Sequence, residues 1–437
     1  MSQYATENFK VEAIYYSGSR LVLNCLAMRR QLGIDWLGLT DQVTANLVWT
    51  GVPGSLDLLN GSDVQRVPLP NRKNVLMSAS IDSTDSGSGH VYPNDEENHK
   101  IHKATVDARV IRYINYTTIT GYFLQDDPST NVTSFDFMTT NFGLINRTYV
   151  TDGNDPHHNL TQWQRFERQV SQFNRDAPHH TQYKLLYMGR HGDGYHNDAQ
   201  AYYGTPAWNC YYSELDGNST VTWSDAHLSP LGVTQALAVN AFWASEIECQ
   251  KIPRPQSYYT SPLTRCLQTA NYTFNGLDLP AKHPFVPEVK EYFRESISGH
   301  TCDRRSNETY IHDSFPSYMI EPGFTENDQL WEALQGETND DQDIRSKKVL
   351  DQVFSTDCST YISITSHSGE IGSILRVLGH QVFGLNTGAS IPVLVKAQIV
   401  GGTAPTTASE PFTPLCTCTS PPSVTATTSV CSYPTPT

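Results

Sequence analysis

The sequence predicts an α/β fold, a three-layer α/β/α sandwich in which helices cover both faces of a mainly parallel central sheet. Short apolar, β-branched or aromatic runs alternate along the chain with stretches of helical periodicity. Two of those stretches follow a Ser-Pro pair, at Ser229-Pro230 and Ser261-Pro262, which favours a helix start. The 437 residues are 38% hydrophobic, enough for one large or two medium domains with real cores.

The first part of the chain, residues 1–105, shows little organisation. Short helices are expected near residues 20–32 and 40–49, and residues 82–89 are too polar and glycine-rich to pack. We interpret this part as a poorly organised extension that is disordered or mispredicted from the gene. A regulatory domain is the alternative.

Residues 106–402 carry the regular pattern and are predicted to form the folded domain. Trp163, Phe166, Val170 and Phe173 recur at helical spacing, which is typical of an amphipathic helix with its aromatic face in the core. Strands are predicted at residues 184–188, 258–260, 289–293, 361–365 and 391–395, and helices at residues 160–173, 230–248, 263–274, 344–354 and 371–378.

Residues 403–437 form a Ser/Thr/Pro-rich tail. Such a composition buries too little apolar surface to fold, and it is typical of an O-glycosylated stalk or a linker. The sequence assigns no partners to Cys416, Cys418 and Cys431 within this tail.

The charge balance argues against two classes of partner. The net charge is -15, the pI is about 5.4, and no Lys/Arg run offsets the acidic excess, so nucleic acids and anionic membranes are not expected. A membrane span is not expected either, since no apolar stretch approaches the roughly 20 residues that a spanning helix needs. Any anion site must therefore be a local concentration of cations.

The compartment is ambiguous from the sequence. The N-terminus carries no secretory signal peptide, which by itself indicates a cytoplasmic protein. Nine cysteines and eight N-glycosylation sequons favour the secretory pathway instead, and we prefer that interpretation. The sequons lie at Asn60, Asn115, Asn131, Asn146, Asn159, Asn218, Asn271 and Asn307.

Cationic residues follow three predicted strands. Arg190 and His191 follow the first of them, Arg265 lies in the first turn of the helix after the second, and His367 follows the third. Because the carboxyl ends of parallel strands share one edge, these side chains are expected to meet above helix N-termini. Arginine binds phosphate oxygens bidentately and keeps its charge, so the sequence predicts a phosphate site.

These residues belong to a set of motifs that resembles the histidine phosphatase superfamily, in its phosphoglycerate-mutase-like branch. Gly121-Tyr122-Phe123-Leu124-Gln125 and the segment 300–305 resemble fungal phosphomutase-like proteins in particular, which extends the resemblance to about residues 106–400. Its elements are Arg190-His191-Gly192 with Asn197, Leu228-Ser229-Pro230-Leu231-Gly232 with Gln235-Ala236, Ser261-Pro262-Leu263-Thr264-Arg265 with Gln268-Thr269-Ala270, Arg294-Glu295 with Gly299, His300-Thr301-Cys302-Asp303-Arg304-Arg305, and Ser366-His367-Ser368-Gly369-Glu370.

The resemblance implies a phosphoglycerate-mutase-like fold and a set of roles. His191 would be the nucleophile that becomes phosphohistidine, with its other ring nitrogen held by a hydrogen bond, commonly to a backbone carbonyl. Arg190, Arg265 and His367 would bind the phosphoryl oxygens, and Asn197 could add a neutral donor. Neither a metal nor a cofactor is implied, because the cations stabilise the transferring group.

The proton donor is assigned to Glu295, because its spacing to Gly299 matches the acidic motif of the family. Glu291 and Asp303 are the alternatives. Ser368 after His367 argues against the acid phosphatase and phytase branch, which places aspartate there.

Arg304-Arg305 is either an ordinary surface pair or a second cationic patch that binds another acidic group of the substrate. The substrate itself is expected to be a phosphorylated small molecule, held between walls formed by residues 194–223 and 296–329. Its identity and the oligomeric state of the protein do not follow from the sequence.

Three functions fit these residues. The favoured one is a phosphomonoester hydrolase acting through phosphohistidine on His191, and the second is a phosphoglycerate-type mutase that passes the phosphoryl group to another hydroxyl. The third is an inactive module that binds a phosphorylated ligand, which the complete set of reactive residues disfavours.

Overall fold

The computed structural model describes residues 112–154, 159–404 and 412–424, together with the backbone of five short strands before residue 112. The chain divides into two compact units, Met1–Ile111 and Arg112–Thr437.

The first unit contains antiparallel strands. Strands β1 (Ile14–Ser17) and β2 (Arg20–Leu23) form a hairpin, and β3 (Asn46–Val48), β4 (Ser55–Asn60) and β5 (Asp63–Pro68) form a three-stranded sheet. Helices were expected over part of this region, but β2 and β3 lie there instead. In the hairpin, Ser17 pairs with Arg20, so the pairing of the two strands takes the place of the expected helix start. The rest of those two ranges, and residues 82–89, lie outside the described residues.

The second unit is built on a seven-stranded sheet. Its strands are β6 (Arg112–Thr118), β7 (Thr181–Arg190), β8 (Ser257–Thr260), β9 (Glu288–Val289), β10 (Met319–Ile320), β12 (Tyr361–Ser366) and β13 (Ser390–Gly401). The spatial order is β10-β9-β8-β12-β7-β13-β6. The five strands from β10 to β7 are parallel, and β13 runs antiparallel to both β7 and β6. The prediction of a mainly parallel sheet is confirmed.

Eight described α-helices accompany this sheet. They are α1 (Gln162–Asp176), α2 (Tyr195–Tyr203), α3 (Thr205–Cys210), α4 (Pro230–Ser245), α5 (Thr264–Phe274), α6 (Glu308–Ser314), α7 (Asn339–Thr356) and α8 (Ser368–Val377). A π-helical turn, Glu246–Gln250, continues α4. Short 3-10 turns lie at Leu124–Asp126, Asn141–Gly143, Val150–Asn154, Tyr212–Glu214, Glu291–Phe293 and Thr301–Asp303. Among the described helices, none has the length and apolar character that a bilayer crossing requires.

Two apolar clusters bury the two faces of the sheet. On one face, Trp163 of α1, Trp243 of α4 and Phe274 of α5 pack with Leu185 of β7. On the other face, residues of α7 and α8 pack against β12, β7 and β13. These two helical layers confirm the predicted α/β/α sandwich, because apolar strand residues on both faces require a helical cover.

The two Ser-Pro pairs behave differently. Ser229 Oγ accepts a hydrogen bond from Gly232 N at 3.2 Å and Pro230 opens α4, as predicted. Ser261 does not cap α5, whose N-cap residue is Leu263. Its hydroxyl lies 2.7 Å from His367 Nε2, so this serine faces the cationic edge of the sheet instead.

Part of the tail is ordered, although its composition predicts otherwise. Strand β14 (Thr413–Pro414) pairs antiparallel with β11 (Gln335–Gly336), and Cys418 forms a disulfide with Cys210, the last residue of α3. A covalent bond and a short strand ladder hold these residues, where buried apolar area alone would not.

Candidate active site

The carboxyl ends of β7 and β12 bring two histidines together. The strands are parallel neighbours in which Ser366 pairs with Arg190, so the next residue of each strand is a histidine on the same edge. The ring centroids of His191 and His367 are 5.1 Å apart. Two residues far apart in sequence therefore form one site, as the argument from parallel strand ends predicts.

His191 is buried and held in a defined orientation. Its Nδ1 lies 2.7 Å from the Gly192 carbonyl oxygen, a contact that requires the proton on Nδ1 and leaves Nε2 as a lone-pair donor. Burial, and then the charges of Arg265 and Arg190, hold the pKa of His191 well below its ordinary value. The imidazole is neutral at pH 7, which nucleophilic attack on phosphorus requires.

Gly192 allows a close backbone approach beside His191. A Cβ at this position would lie 2.5 Å from the Gly232 carbonyl oxygen, at the first turn of α4. The Gly192 N–H donates to Thr269 Oγ1 at 3.0 Å, which ties the same peptide to α5. A larger residue would push the nucleophile away from both helices.

Two guanidinium groups lie beside the histidines. Arg265 is 1% exposed and pairs with Asp303 Oδ1 at 2.9 Å, while Arg190 Nη1 donates to the Leu385 carbonyl oxygen at 2.7 Å. Among the described residues, the buried Nε atoms of Arg190 and Arg265 have no hydrogen-bond partner. A buried donor without a partner costs about 1–3 kcal/mol, so these N–H groups favour an incoming anion.

His367 is also buried, and its ring contacts two neutral side chains. Its Nε2 contacts Ser261 Oγ at 2.7 Å and Cys266 Sγ at 3.3 Å. Burial, followed by the nearby charge of Arg265, lowers the pKa of His367 well below its ordinary value. Like His191, it is therefore neutral at pH 7.

A third histidine was missed by the sequence analysis. His196 lies on α2, is buried, and has its ring centroid 5.4 Å from that of His191. Its Nδ1 is buried and unpartnered among the described residues. The spacing after Gly192 drew attention to the adjacent Asn197, whose Oδ1 accepts the Gly194 N–H at 2.9 Å and so caps α2. Only the amide nitrogen of Asn197 could donate to phosphate.

Glu295 lies at the N-terminal end of α8. Its Oε1 accepts the Ser296 N–H at 2.9 Å, and its Oε2 lies 3.4 Å from the Gly369 nitrogen. Burial first, and then the nearby Asp303 carboxylate, raise the pKa of Glu295 above its ordinary value. A raised pKa favours the protonated carboxyl group that a proton donor needs.

Arg345 of α7 holds the segment that carries Glu295. Its guanidinium donates to the backbone carbonyls of Tyr292, Arg294 and Glu295 at 2.7, 3.1 and 3.2 Å. The charge of Arg345 is balanced by the buried carboxylates of Glu337 and Glu370.

The two alternative proton donors are paired with arginines. Glu291 accepts from Arg294 at 2.9 Å and from Arg305 at 2.8 Å. Asp303 pairs with Arg265 at 2.9 Å. The hydrogen-bond donors to Glu295, in contrast, are neutral groups, the Ser296 and Gly369 N–H groups and the Ser296 hydroxyl.

Comparison with known proteins assigns the family. A probable phosphoglycerate mutase of Arthroderma benhamiae is 50% identical over 293 residues, covering 67% of this chain and 87% of that protein. The chain belongs to the histidine phosphatase superfamily. Its relatives place it in the phosphoglycerate-mutase-like branch, and the family profile, described as histidine phosphatase superfamily (branch 1), matches residues 212–386.

More distant relatives of this histidine phosphatase carry similar names. Phosphomutase-like protein 3 of Candida albicans is 34% identical over 292 residues, covering 67% of this chain and 83% of that protein. The structure of a phosphoglycerate mutase from Thermus thermophilus covers 48% of this chain and 91% of its own, at 17% identity and a TM-score of 0.26. A likeness at that level carries no weight for function.

The two arginines of the Arg304-Arg305 pair lie in different environments. The Arg305 side chain is fully buried, pairs with Glu291 and stacks on the Phe324 ring at 4.1 Å. Arg304 is 37% exposed and pairs with Asp216 at 2.6 Å. Arg305 therefore braces the loops, and Arg304 is the member of the pair that solvent can reach.

One group of side chains has the composition of a metal site. The ligating atoms of His300, Cys302 and Asp303 lie within 4.8 Å of one another. Asp303 already pairs with Arg265 and accepts from Ser298, and burial raises the pKa of the Cys302 thiol well above its ordinary value. A protonated thiol and a paired carboxylate suit a metal ion poorly.

Proposed function

We propose that the chain is a phosphomonoester hydrolase that acts through a phosphohistidine intermediate on His191. The observation that carries the proposal is the neutral His191 ring, fixed by Gly192 O beside two guanidiniums with unpartnered Nε–H groups. This combination supplies a nucleophile with a free lone pair and donors for the oxygens of the transferring group.

The first step forms a bond from His191 Nε2 to phosphorus while the ester P–O bond breaks. The Glu295 carboxyl group gives its proton to the leaving oxygen and becomes a carboxylate. In the second step this carboxylate takes a proton from water as the water oxygen attacks phosphorus, and the P–N bond breaks. Arg190, Arg265 and His367 bind the phosphoryl oxygens throughout, and the amide of Asn197 is a further candidate donor.

A phosphoglycerate-type mutase is the second candidate, and the names of the relatives favour it. It requires a cation for the carboxylate of the phospho-acid. Arg305 does not supply one, because its guanidinium is buried against Glu291. Arg304 is balanced by Asp216, so we rank hydrolysis first and keep Arg304 as the candidate residue for a mutase.

An inactive binding module ranks third. Such a module needs the arginines but not a neutral nucleophile with an acid close by. The buried His191 and the raised pKa of Glu295 both support catalysis over binding alone.

The test is brief incubation with a phosphomonoester labelled in its phosphoryl group. We expect an acid-labile, alkali-stable phosphoprotein, lost in His191→Ala and retained in His312→Ala, a control whose side chain is 70% exposed. A label that persists in His191→Ala would overturn the assignment. Isomerisation of 3-phosphoglycerate faster than phosphate release would reverse the order of the first two candidates.

We also propose that residues 106–402 are the catalytic domain, which the unit boundary between Ile111 and Arg112 supports. A chain starting at Val106 is then expected to form the same phosphoprotein. Loss of the label from that shortened chain, with its presence in the full chain, would contradict this boundary.

The compartment we propose is an oxidising one. Besides the Cys210–Cys418 bond, Cys358 and Cys416 are disulfide-bonded, and disulfides persist mainly in secretory compartments. Six of the sequon asparagines are exposed, namely Asn115, Asn131, Asn146, Asn159, Asn218 and Asn307. Mass spectrometry of natively expressed protein is expected to find glycans and these disulfides; reduced cysteines and bare asparagines would favour the cytoplasm.

A further inference from the structure

Residues 412–424, called the strap below, lie across both loops that flank the site. On one side Leu415 N donates to the Leu334 carbonyl oxygen at 2.9 Å, next to the strand ladder of β14 with β11. On the other side Cys418 is bonded to Cys210, and the Tyr212 hydroxyl donates to the Pro422 carbonyl oxygen at 3.2 Å. The strap thus joins residues 210–212, in one predicted wall of the substrate site, to residues 334–336, which follow the other predicted wall, 296–329.

A cavity of about 250 Å³ lies beneath the strap. It is smaller than the roughly 300–1,000 Å³ typical of pockets for drug-sized ligands, so it suits one small ring or a short chain. The described residues that line it are Asn209, Glu214, Gly299, His300, Leu415 and Cys416.

The cavity adjoins the phosphoryl site through His300. A ring nitrogen of His300 lies within 4.8 Å of an Asp303 carboxylate oxygen, and Asp303 pairs with Arg265 at 2.9 Å. His300 also lies close enough to His196 to lower the pKa of the His196 ring. The cavity lining and the phosphoryl site are thus linked through His300, Asp303 and Arg265.

The lining selects against a second anion. Among the described residues that line the cavity none is a lysine or arginine, while Glu214 supplies a carboxylate. Arg304, the accessible cation nearby, is paired with Asp216. A substrate carboxylate here would be desolvated without a cationic partner, which is costly. Hydroxyl groups, in contrast, can both donate to and accept from the Asn209 amide, the Glu214 carboxylate and the His300 ring.

We propose that the strap is the outer wall of the leaving-group pocket, and that this pocket takes an uncharged polyhydroxy group such as a sugar or short polyol. The inference rests on the proposed function and adds the substrate class to it. Leu415 is the residue of the strap that shapes the wall. Its side chain lies against Gly299 and Gly336, where a Cβ would approach its methyl groups to 2.6 and 3.1 Å.

The experiment uses the full, oxidised chain and three phosphoryl donors. Phosphoramidate, whose leaving group is ammonia, reports on His191 without reaching the strap. Glucose 6-phosphate and 3-phosphoglycerate test a neutral and an anionic organic group. We expect kcat/KM for glucose 6-phosphate to exceed that for 3-phosphoglycerate by about ten-fold or more.

Three variants test the wall and its charge. Cys418→Ser releases one anchor of the strap and Leu415→Ala removes its apolar contact, and each is expected to lower kcat/KM for glucose 6-phosphate about ten-fold. Glu214→Gln is expected to raise kcat/KM for 3-phosphoglycerate several-fold by removing the repulsion. Cys249→Ser, at an exposed free cysteine, is the matched control for the loss of a sulfur atom.

The outcomes separate the two proposals. Absence of phosphohistidine from phosphoramidate would refute the proposed function. Suppose that phosphoramidate phosphorylates the protein normally, while the strap variants keep the parent kcat/KM for both glucose 6-phosphate and 3-phosphoglycerate. This result would refute the proposed pocket and leave the proposed function intact. A preference for 3-phosphoglycerate that Glu214→Gln does not change would refute the substrate class.

Discussion

The Glu295 carboxylate and the Gly369 backbone meet where the 291–295 segment crosses the start of α8, with Oε2 3.4 Å from the Gly369 nitrogen. Gly369 follows His367 by two positions, so the helix that begins after the second histidine also receives the proposed acid. A shift of α8 would therefore move both Glu295, the proposed acid, and His367, which is proposed to bind the phosphoryl group.

The first prediction concerns pH. Because the pKa of Glu295 is raised, its carboxyl group stays protonated to higher pH than an ordinary glutamate, and hydrolysis of esters with poor leaving groups is lost as pH rises through that value. Glu295→Gln is expected to slow an alkyl phosphate about 10²–10⁴-fold and p-nitrophenyl phosphate far less. The check is kcat/KM against pH for both esters. Equal losses for the two would instead favour Glu291 or Asp303 as the donor.

The second prediction concerns Gly369. A Cβ at this position would lie 2.2 Å from Glu295 Oε1, so Gly369→Ala must displace the carboxyl group. We expect slower turnover of alkyl phosphates with normal formation of phosphohistidine from phosphoramidate. Gly372→Ala in the same helix is the control, since its nearest contact would be 3.8 Å. Similar effects of the two variants would point to helix α8 as a whole rather than to Glu295.

The third prediction separates Arg304 from Arg305. Arg305→Ala leaves the largely buried Glu291 without one of its two arginines, and we expect a loss of about 3–5 kcal/mol in the free energy of unfolding. Arg304→Ala breaks an exposed pair and should cost about 0–1 kcal/mol. Urea unfolding of both variants measures the difference. Comparable stabilities would show that Arg305 does not brace the loops.

The fourth prediction concerns a buried carboxyl group on α4's π-helical extension. Burial raises the pKa of Glu246 to about 7, and its Oε2 has no hydrogen-bond partner among the described residues. Because burial disfavours the ionised carboxylate, the folded state is most stable at pH values below the unfolded pKa of about 4.5, and its stability falls as pH rises from there to about 7. Glu246→Gln is therefore expected to flatten the decline in stability between those pH values, by on the order of 2–3 kcal/mol. The measurement is the free energy of unfolding at several pH values for the parent chain and Glu246→Gln. The same dependence on pH in both would show that the pKa of Glu246 is not raised.

The sequence predicts the sheet and the convergence of Arg190, His191, Arg265 and His367, because each follows a strand and parallel strand ends share an edge. The fate of Arg305 could not be predicted, since its partners include backbone carbonyls of residues 325–327, which only the folded loop brings close. His196 escaped notice because a histidine in a first helical turn has no distinctive pattern. Ser261 before Pro262 is typical of a helix cap in the sequence. Only the folded structure shows that its hydroxyl contacts His367, which follows the neighbouring strand β12.

The Cys210–Cys418 bond links positions 208 residues apart, and the chain between them contains Arg265, Glu295 and His367. A protease that cuts between residues 404 and 412 would therefore not release the strap. The protein would continue as two chains joined through the Cys210–Cys418 cystine, and removal of residues 412–424 would need a reductant as well as a cut. Trimming of the Ser/Thr/Pro-rich end would thus leave the strap in place, provided that cleavage falls outside residues 412–424.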